Sequence, residues 1–122
     1  MKIYLPKSFL RQTEKSHVSE NDCKAAIIKA ENGLIYADLG GGLIKQDIPR
    51  NNLSGARGAR GIIFYRKGSV AVFLHLFPKS ARANLSKSEL AQYLKLAGTL
   101  EKLTQAKLKE LGETKGWKEL EI

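Results

Sequence analysis

The feature of this sequence most able to do chemistry is a set of lysines and arginines around its strand-forming segments. Its members are Lys45, Arg50, Arg57, Arg60, Arg66, Lys79 and Arg82. Arg57 and Arg60 stand among glycines in "SGARGARGIIFYRKG", directly before a run of Ile and Phe. Neither a loop nor a core strand needs arginine there, whereas the planar guanidinium donates two hydrogen bonds to a phosphate. We therefore expect these side chains to bind phosphate.

The charge balance also favours a polyanionic ligand. The chain of 122 residues has 21 Lys and Arg against 12 Asp and Glu, a net charge of +9. The field of such a chain attracts nucleic acid. Taken one at a time, however, cations are ordinary on protein surfaces or pair with carboxylates. Only their convergence on one surface would make a site.

Other kinds of site have no motif to support them. There is no CxxC pair and no HExxH, so the sequence does not predict a zinc site. Gly40–Gly42 is not followed by the Lys-Ser or Lys-Thr of a P-loop. The only cysteine, Cys23, lies in an apparent helix, and we expect it to be buried. Without a signal peptide or a membrane-length apolar run, a cytoplasmic protein is expected.

Two further side chains are secondary candidates. His75 alternates with Phe73 and Phe77 along an apolar strand, which favours a buried core histidine over a catalytic one. Tyr65 ends the preceding strand and could stack an RNA base. Most other aromatic residues fit the core pattern.

The elements that must position these residues form one α+β domain over residues 1–122. Helices are expected over 7–16 and about 20–32, the second opened by an approximate capping box of Ser19 and Asp22. A long helix follows the capping box of Ser86 and Glu89 and runs to Gly112. For the charged tail, residues 113–122 with Trp117, the pattern leaves order or disorder open.

The strands are expected at 43–48, 61–66 and 70–77, joined by short connections. Such spacing predicts an antiparallel meander of three to five strands. We expect helices to cover one face of this sheet and a concave basic surface to occupy the other. Lys45 alternates with core residues and would lie on that polar face.

Three segments carry a resemblance to a known family: "ADLGGGLIKQDIPR", "GARGIIFYRKG" and "FLHLFPKSARANLSKSEL". Together they resemble the RelE-type toxins of bacterial toxin–antitoxin modules, in the RelE/ParE superfamily and closest to its HigB-like branch. The similarity runs over residues 1–111. It implies a RelE-like fold with two N-terminal helices, an antiparallel sheet and a C-terminal helix.

The resemblance implies a ribosome-dependent endoribonuclease that cuts mRNA, inhibits translation and needs no metal or other cofactor. It also implies a cognate antitoxin of helix-turn-helix type, contact with DNA only through the antitoxin complex, and no membrane association. The RNA 2′-hydroxyl would attack the adjacent phosphodiester.

The family's motifs assign roles by position. Arg60 would bind the nonbridging oxygens, Lys79 would serve the leaving oxygen, and Lys45 or His75 would act as the base. Arg82 falls in the same exit-loop cluster as Lys79. The residues expected to bind RNA around them are Arg50, Arg57, Arg66 and Tyr65.

Three alternatives stay open at this point. ParE-type relatives act on DNA gyrase and would keep the fold without the chemistry. A non-catalytic binder of ribosomal RNA or DNA would use the same cations. A folded but inert toxin is suggested by departures from the family pattern, such as Ala59 in place of an aromatic residue and His75-Leu76 in place of Tyr-Gly.

Overall fold

The computed structural model describes residues 1–49, 58–78 and 85–122, and these ranges contain six strands and four helices. In chain order the elements are β1 (Lys2–Leu5), α1 (Lys7–Ser16), α2 (Glu20–Glu31), β2 (Ala37–Gly40), β3 (Leu43–Ile48), β4 (Ala59–Arg66), β5 (Val70–Pro78), α3 (Lys87–Glu101), α4 (Gln105–Lys115) and β6 (Lys118–Glu121). The predicted α+β class is confirmed.

One sheet holds all of these strands, in the order β2-β3-β4-β5-β1-β6. The predicted antiparallel meander is confirmed from β2 to β5, while β1 pairs parallel to β5 and antiparallel to β6. The expectation of three to five strands was too low. The three strands outside the predicted segments, β1, β2 and β6, have four residues each, too few to show a periodic pattern.

Helices cover both faces of the sheet, so the expectation of one open face was wrong. α1 and α2 pack on one face through Phe9, Cys23 and Ile27, and we call this the first core. α3 and α4 pack on the opposite face through Ala97, Leu100 and Leu108, and we call this the second core. Since Ile63 faces the first core and Phe64 the second, β4 is buried on both sides.

The N-terminal helices follow the sequence pattern closely. α1 spans Lys7–Ser16, as predicted, and α2 begins at the capping box in which Ser19 and Asp22 satisfy each other's backbone N–H groups. Cys23 is fully buried in α2, and burial raises the pKa of its thiol to about 12. This thiol is therefore an inert core group, as expected.

The predicted single C-terminal helix is instead two helices. α3 ends at Glu101, and Thr104 caps α4 by accepting a hydrogen bond from the backbone N–H of Lys107. A continuous helix over residues 87–112 would be about 39 Å long. It would overrun the sheet, whose longest strand, β5, has nine residues and spans about 31 Å. The break lets Leu108 return to the second core.

The tail whose order the sequence left open is part of the fold. α4 continues to Lys115. β6 then pairs antiparallel with β1, from Lys118 opposite Leu5 to Glu121 opposite Lys2. Trp117 packs against Tyr4, with ring centroids 5.9 Å apart. The end of the chain therefore closes one edge of the sheet over β1.

Candidate active site

The candidate site lies at the end of the sheet where β3 and β5 finish and β4 begins. Because neighbouring strands are antiparallel, Asp47 pairs with Arg60, and Arg60 pairs with Phe77 on the other side. Arg60 alternates with Ile62 and Phe64, so its side chain lies on the face of the second core. The described residues stop at this end after Pro49 and after Pro78.

Arg60 is held from two directions. Its Nε donates to Oδ1 of Asp47 at 3.0 Å, and its Cζ lies 3.9 Å from the centroid of the Tyr36 ring. The arginine side chain is 22% exposed and the aspartate side chain 38% exposed, so the pair stands at the surface. One donor and one face of the guanidinium are thereby occupied. Its two terminal amino groups donate no hydrogen bond within the described residues, which leaves a fork suited to phosphate.

Lys45 precedes Asp47 by two residues on the same face of β3 and pairs with Ile62 of β4. The alternation predicted for this strand is confirmed, since Leu43 lies in the second core while Ile44 and Ile48 lie in the first. The face that carries Lys45 was expected to be open, but α3 and α4 pack on other parts of it. Lys45 and Arg60 thus lie on neighbouring strands of one face.

A β-bulge determines where His75 lies. Ile62 pairs with His75 and Ile63 with Phe73, so Leu74 is an extra residue in β5. The bulge reverses the alternation: Phe73 faces the first core, whereas His75 contacts Phe77 and Tyr93 on the second. The expected alternation with both phenylalanines on one face was therefore wrong, and His75 shares the face of Arg60.

The tautomer of His75 follows from its neighbour Gln12. The Gln12 side chain accepts from the backbone N–H of Leu76 at 3.1 Å and donates to its carbonyl at 3.1 Å, which fixes the amide orientation. The same amide nitrogen lies 3.2 Å from Nδ1 of His75. Since an amide nitrogen only donates, Nδ1 accepts and Nε2 carries the proton. Burial also lowers the pKa of His75, an effect that the charge of Glu89 partly offsets.

Four of the predicted site residues lie outside the described residues: Arg50, Arg57, Lys79 and Arg82. The convergence of Arg60 with Lys79 is therefore still a prediction. What the structure does establish is that β3 and β5 end, and β4 begins, beside Arg60.

Arg66 has a structural position that the RNA-binding prediction did not foresee. One terminal nitrogen of its guanidinium lies 3.4, 3.1 and 3.1 Å from the carbonyl oxygens of Leu100, Glu101 and Leu103. These carbonyls lie at and just after the C-terminus of α3, where a cation also suits the helix dipole. Arg66 stands at the opposite end of β4 from Arg60, so it does not join the candidate site.

Tyr65 is likewise remote from Arg60 and packs against the first core. Its hydroxyl donates to the carboxylate of Glu31, which also accepts from the backbone N–H of Gly68. Burial and the neighbouring carboxylate raise the pKa of Tyr65. This geometry gives Tyr65 a role in joining α2 to β4 and argues against base stacking there.

Gly61 lies next to Arg60, and a glycine there would allow a ligand to approach the backbone closely. The structure assigns its space to a core side chain instead: a Cβ at this position would lie 2.6 Å from Cδ1 of Ile48. The glycine is required for packing across the β3–β4 pair, not for a ligand.

Three residues that the sequence analysis did not select complete the site: Asp47, Tyr36 and Gln12. The partnership of Asp47 with Arg60 needed the register of β3 against β4, which depends on the length of the intervening loop. Gln12 had no signal at all, because it lies 63 residues from His75 in the sequence.

In residues 1–49, 58–78 and 85–122 there is no group of three or more His, Cys, Asp or Glu side chains placed to hold a metal ion. In the same part of the chain, no helix is long and apolar enough to cross a membrane.

The fold and this end of the sheet define a small basic α+β protein in which Lys45 and Arg60 lie on one face of the sheet. The chain belongs to the family of RelE toxins of the RelE/RelB toxin–antitoxin system, whose model matches residues 1–120. A search of curated proteins found no match. Membership implies a cognate antitoxin as partner, while the HigB-like branch is still a prediction.

Proposed function

We propose that this protein is a toxin that inhibits translation by cutting mRNA on the ribosome, and that Arg60 binds the scissile phosphate. The observation that carries the proposal is the open fork of Arg60, oriented by Asp47 and Tyr36 at the end of the sheet. Family membership supplies the setting of a toxin with an antitoxin. Activity on ribosomes places the protein in the cytoplasm, with a helix-turn-helix antitoxin as its expected regulator.

The proposed reaction is attack of an RNA 2′-hydroxyl on the adjacent phosphorus. The new bond joins the 2′-oxygen to phosphorus, the bond to the 5′-oxygen breaks, and the products are a 2′,3′-cyclic phosphate and a 5′-hydroxyl. Negative charge increases on the nonbridging oxygens in the transition state. A cation fixed in advance stabilises this charge without having to reorganise, which is the main requirement for catalysis here.

Proton transfer needs a base for the 2′-hydroxyl and an acid for the leaving 5′-oxygen. The tautomer set by Gln12 leaves His75 with a proton on Nε2, so this ring donates a hydrogen bond rather than accepting a proton there. Of the two bases considered, Lys45 is therefore the better candidate. Lys79 is still the proposed donor to the leaving oxygen, with Arg82 beside it, and Arg50 and Arg57 are still proposed to bind RNA.

The test is primer extension on mRNA translated in a purified system, with the protein added at increasing concentration. Wild-type protein should create new 5′ ends within the decoding site. Arg60→Ala should lower the cleavage rate on the order of 10²–10³-fold, the usual effect of losing one stabilising donor. Arg60→Lys should restore little, because an ammonium cannot form the fork.

The matched control is Lys102→Ala, an exposed cation at the far end of α3. It removes the same charge and should cleave at the wild-type rate. The absence of new ends with wild-type protein would reject the nuclease. In that case supercoiling by purified gyrase should be measured, since inhibition there would favour the ParE-like alternative. Normal gyrase activity with retained ribosome binding would favour a non-catalytic binder.

A further inference from the structure

A second basic surface lies beside the candidate site, in a cleft between α1, α3 and the bulge of β5. The cleft has a volume of about 320 Å³. Its lining residues are Ser8, Arg11, Gln12, Lys15, Leu74, His75 and Tyr93. The proposed reaction leaves Arg11 and Lys15 without a role.

α1 presents one complete stripe to this cleft. Ser8, Arg11, Gln12 and Lys15 follow at intervals of three, one and three residues, which places them on one side of a helix. The neighbouring stripe, with Phe9 and Thr13, is buried in the protein. Thus the packing of Phe9 fixes the direction in which the cations point.

The two cations of this stripe are exposed and one helical turn apart, about 5–6 Å between their Cβ atoms. Neither Arg11 nor Lys15 makes an ion pair within residues 1–49, 58–78 and 85–122. Like charges at this spacing repel each other. A bound anion between them would relieve that repulsion.

The opposite wall adds donors of hydrogen bonds. The Nε2–H of His75 belongs to a ring in the lining, and burial raises the pKa of Tyr93, so that its hydroxyl stays protonated. Glu89, the acid whose charge acts on both rings, accepts a hydrogen bond from the backbone N–H of Ser86 at 3.1 Å. Cations, an imidazole N–H and hydroxyl groups together match an oxygen-rich anion.

The cleft also adjoins Arg60. His75 precedes Phe77, the partner of Arg60, by two residues, which is about 7 Å along β5. The His75 and Arg60 side chains share the face of the second core. A polyanion bound at Arg60 can therefore continue past His75 towards α1.

We propose that this cleft binds a second phosphodiester of the same RNA strand, with Arg11 and Lys15 as its cationic ligands. The proposal rests on the proposed function and extends it, because it gives the direction in which the RNA leaves the scissile position. Leu74 and the ring of Tyr93 supply an apolar surface for the adjoining ribose or base.

The test measures RNA binding without cleavage. A fluorescent, fully 2′-O-methylated RNA of eight nucleotides cannot be cut, and its affinity is measured by anisotropy over a series of salt concentrations. For single strands, each phosphate contact contributes about 0.7 to the slope of log affinity against log salt. Because both cations are proposed to bind one phosphate, Arg11→Ala/Lys15→Ala should lower the slope by about 0.7.

The matched control is Lys67→Ala/Lys102→Ala, which removes two exposed cations at the opposite end of the sheet. It should keep the wild-type slope. Arg11→Lys/Lys15→Arg keeps the charge of the cleft and should also keep the slope, which separates lost contacts from disturbed folding. Equal slopes for the cleft and control variants would overturn the proposal.

Titration followed by the NMR signal of the His75 ring distinguishes the source of the anion. RNA should shift this signal in wild-type protein and much less in the cleft variant. A shift with inorganic phosphate but none with RNA would mark a small-anion site and reject the RNA path. If RNA binds through the cleft while no mRNA is cleaved, the cleft stands and the nuclease proposal fails.

Discussion

Arg60 differs from an ordinary surface arginine because two neighbours restrict its guanidinium. Asp47 takes the Nε–H, and Tyr36 covers one face of the planar group. The carboxylate cancels part of the charge, but the restriction lowers the entropy lost when a phosphate binds. A preorganised donor is worth more to a transition state than a free one, since no reorganisation is needed during the reaction.

His75 should make stability depend on pH. Burial lowers its pKa below the ordinary 6.5, so the unfolded chain gains this proton at a higher pH than the folded protein. The free energy of unfolding should therefore decrease as the pH falls below about 6.5. Urea denaturation at pH 7.5 and 5.5 measures the change.

The control is His75→Gln, which does not titrate and should lose less stability over the same interval. Three carboxylates have a lowered pKa: Glu31, Glu89 and Glu119. They stop stabilising the folded protein only below about pH 4.5, outside the measured interval of pH 5.5 to 7.5. An equal pH dependence in both proteins would contradict the interpretation that partial burial lowers the pKa of His75.

Elements in this protein are joined by side chains that satisfy backbone groups at their ends. The pairing of β1 with β5 ends at Tyr4. Further along β5, the side chain of Gln12 takes over and hydrogen-bonds the backbone of Leu76. Arg66 does the same for the C-terminus of α3. Buried or half-buried backbone groups need such partners because leaving them unpaired is costly.

Arg66→Ala should therefore act on stability rather than on cleavage. Losing this charged donor at the end of α3 is expected to cost about 1–3 kcal/mol of unfolding free energy. Urea denaturation measures the loss, and the rate of mRNA cleavage per folded molecule should stay at the wild-type value. Lys67→Ala, at an exposed neighbour, should change stability by less than about 0.5 kcal/mol. A cleavage rate per folded molecule clearly below the wild-type value would show that Arg66 takes part in the reaction or in RNA binding.

Gly61 packs against Ile48 across the β3–β4 pair, so substitutions at the two positions should not act independently. Gly61→Ala adds a methyl group where Cδ1 of Ile48 lies, and overpacking of this kind costs about 1–3 kcal/mol. Ile48→Val removes that Cδ1 and alone costs about 0.5–1.5 kcal/mol. The double variant should be less destabilised than the sum of the two single variants. Simple additivity in thermal denaturation would show that the two side chains do not compete for this space.

At the scale of the molecule, one sheet separates two cores, and the end of the chain completes it. β6 shields the outer edge of β1, and Trp117 covers Tyr4 from the side of the second core. An uncovered β1 would present an unpaired strand edge to solvent. The tail is therefore part of the fold and not an appendage.

Deleting residues 117–122 should reduce the free energy of unfolding by on the order of 3 kcal/mol or more, since a large aromatic contact and a strand pairing are lost together. The urea midpoint measures the loss, and size-exclusion chromatography should show association through the exposed edge. Trp117→Phe, which keeps β6, should lose much less. An unchanged midpoint in the truncated protein would show that β6 adds nothing to stability.

Much of the architecture followed from local patterns in the sequence. α1, the capping boxes at Ser19 and Ser86, and the strand Leu43–Ile48 were predictable because caps and alternation are short-range signals. β1 and β6 were not, since four residues carry too little periodicity and their pairing joins opposite ends of the chain. The break before Thr104 was hidden because the leucine spacing continues across it.

Local sequence patterns were enough to predict the α+β class, the starts of α1, α2 and α3, and the place of Arg60 near the start of β4. Tertiary structure alone decided which cations share a surface: it placed Arg60 beside Asp47 and Tyr36, took Arg66 to a helix end, and turned His75 towards a new cleft. The physical reason is that strand register, a one-residue bulge and contacts across 63 residues depend on packing between elements, which no local pattern records.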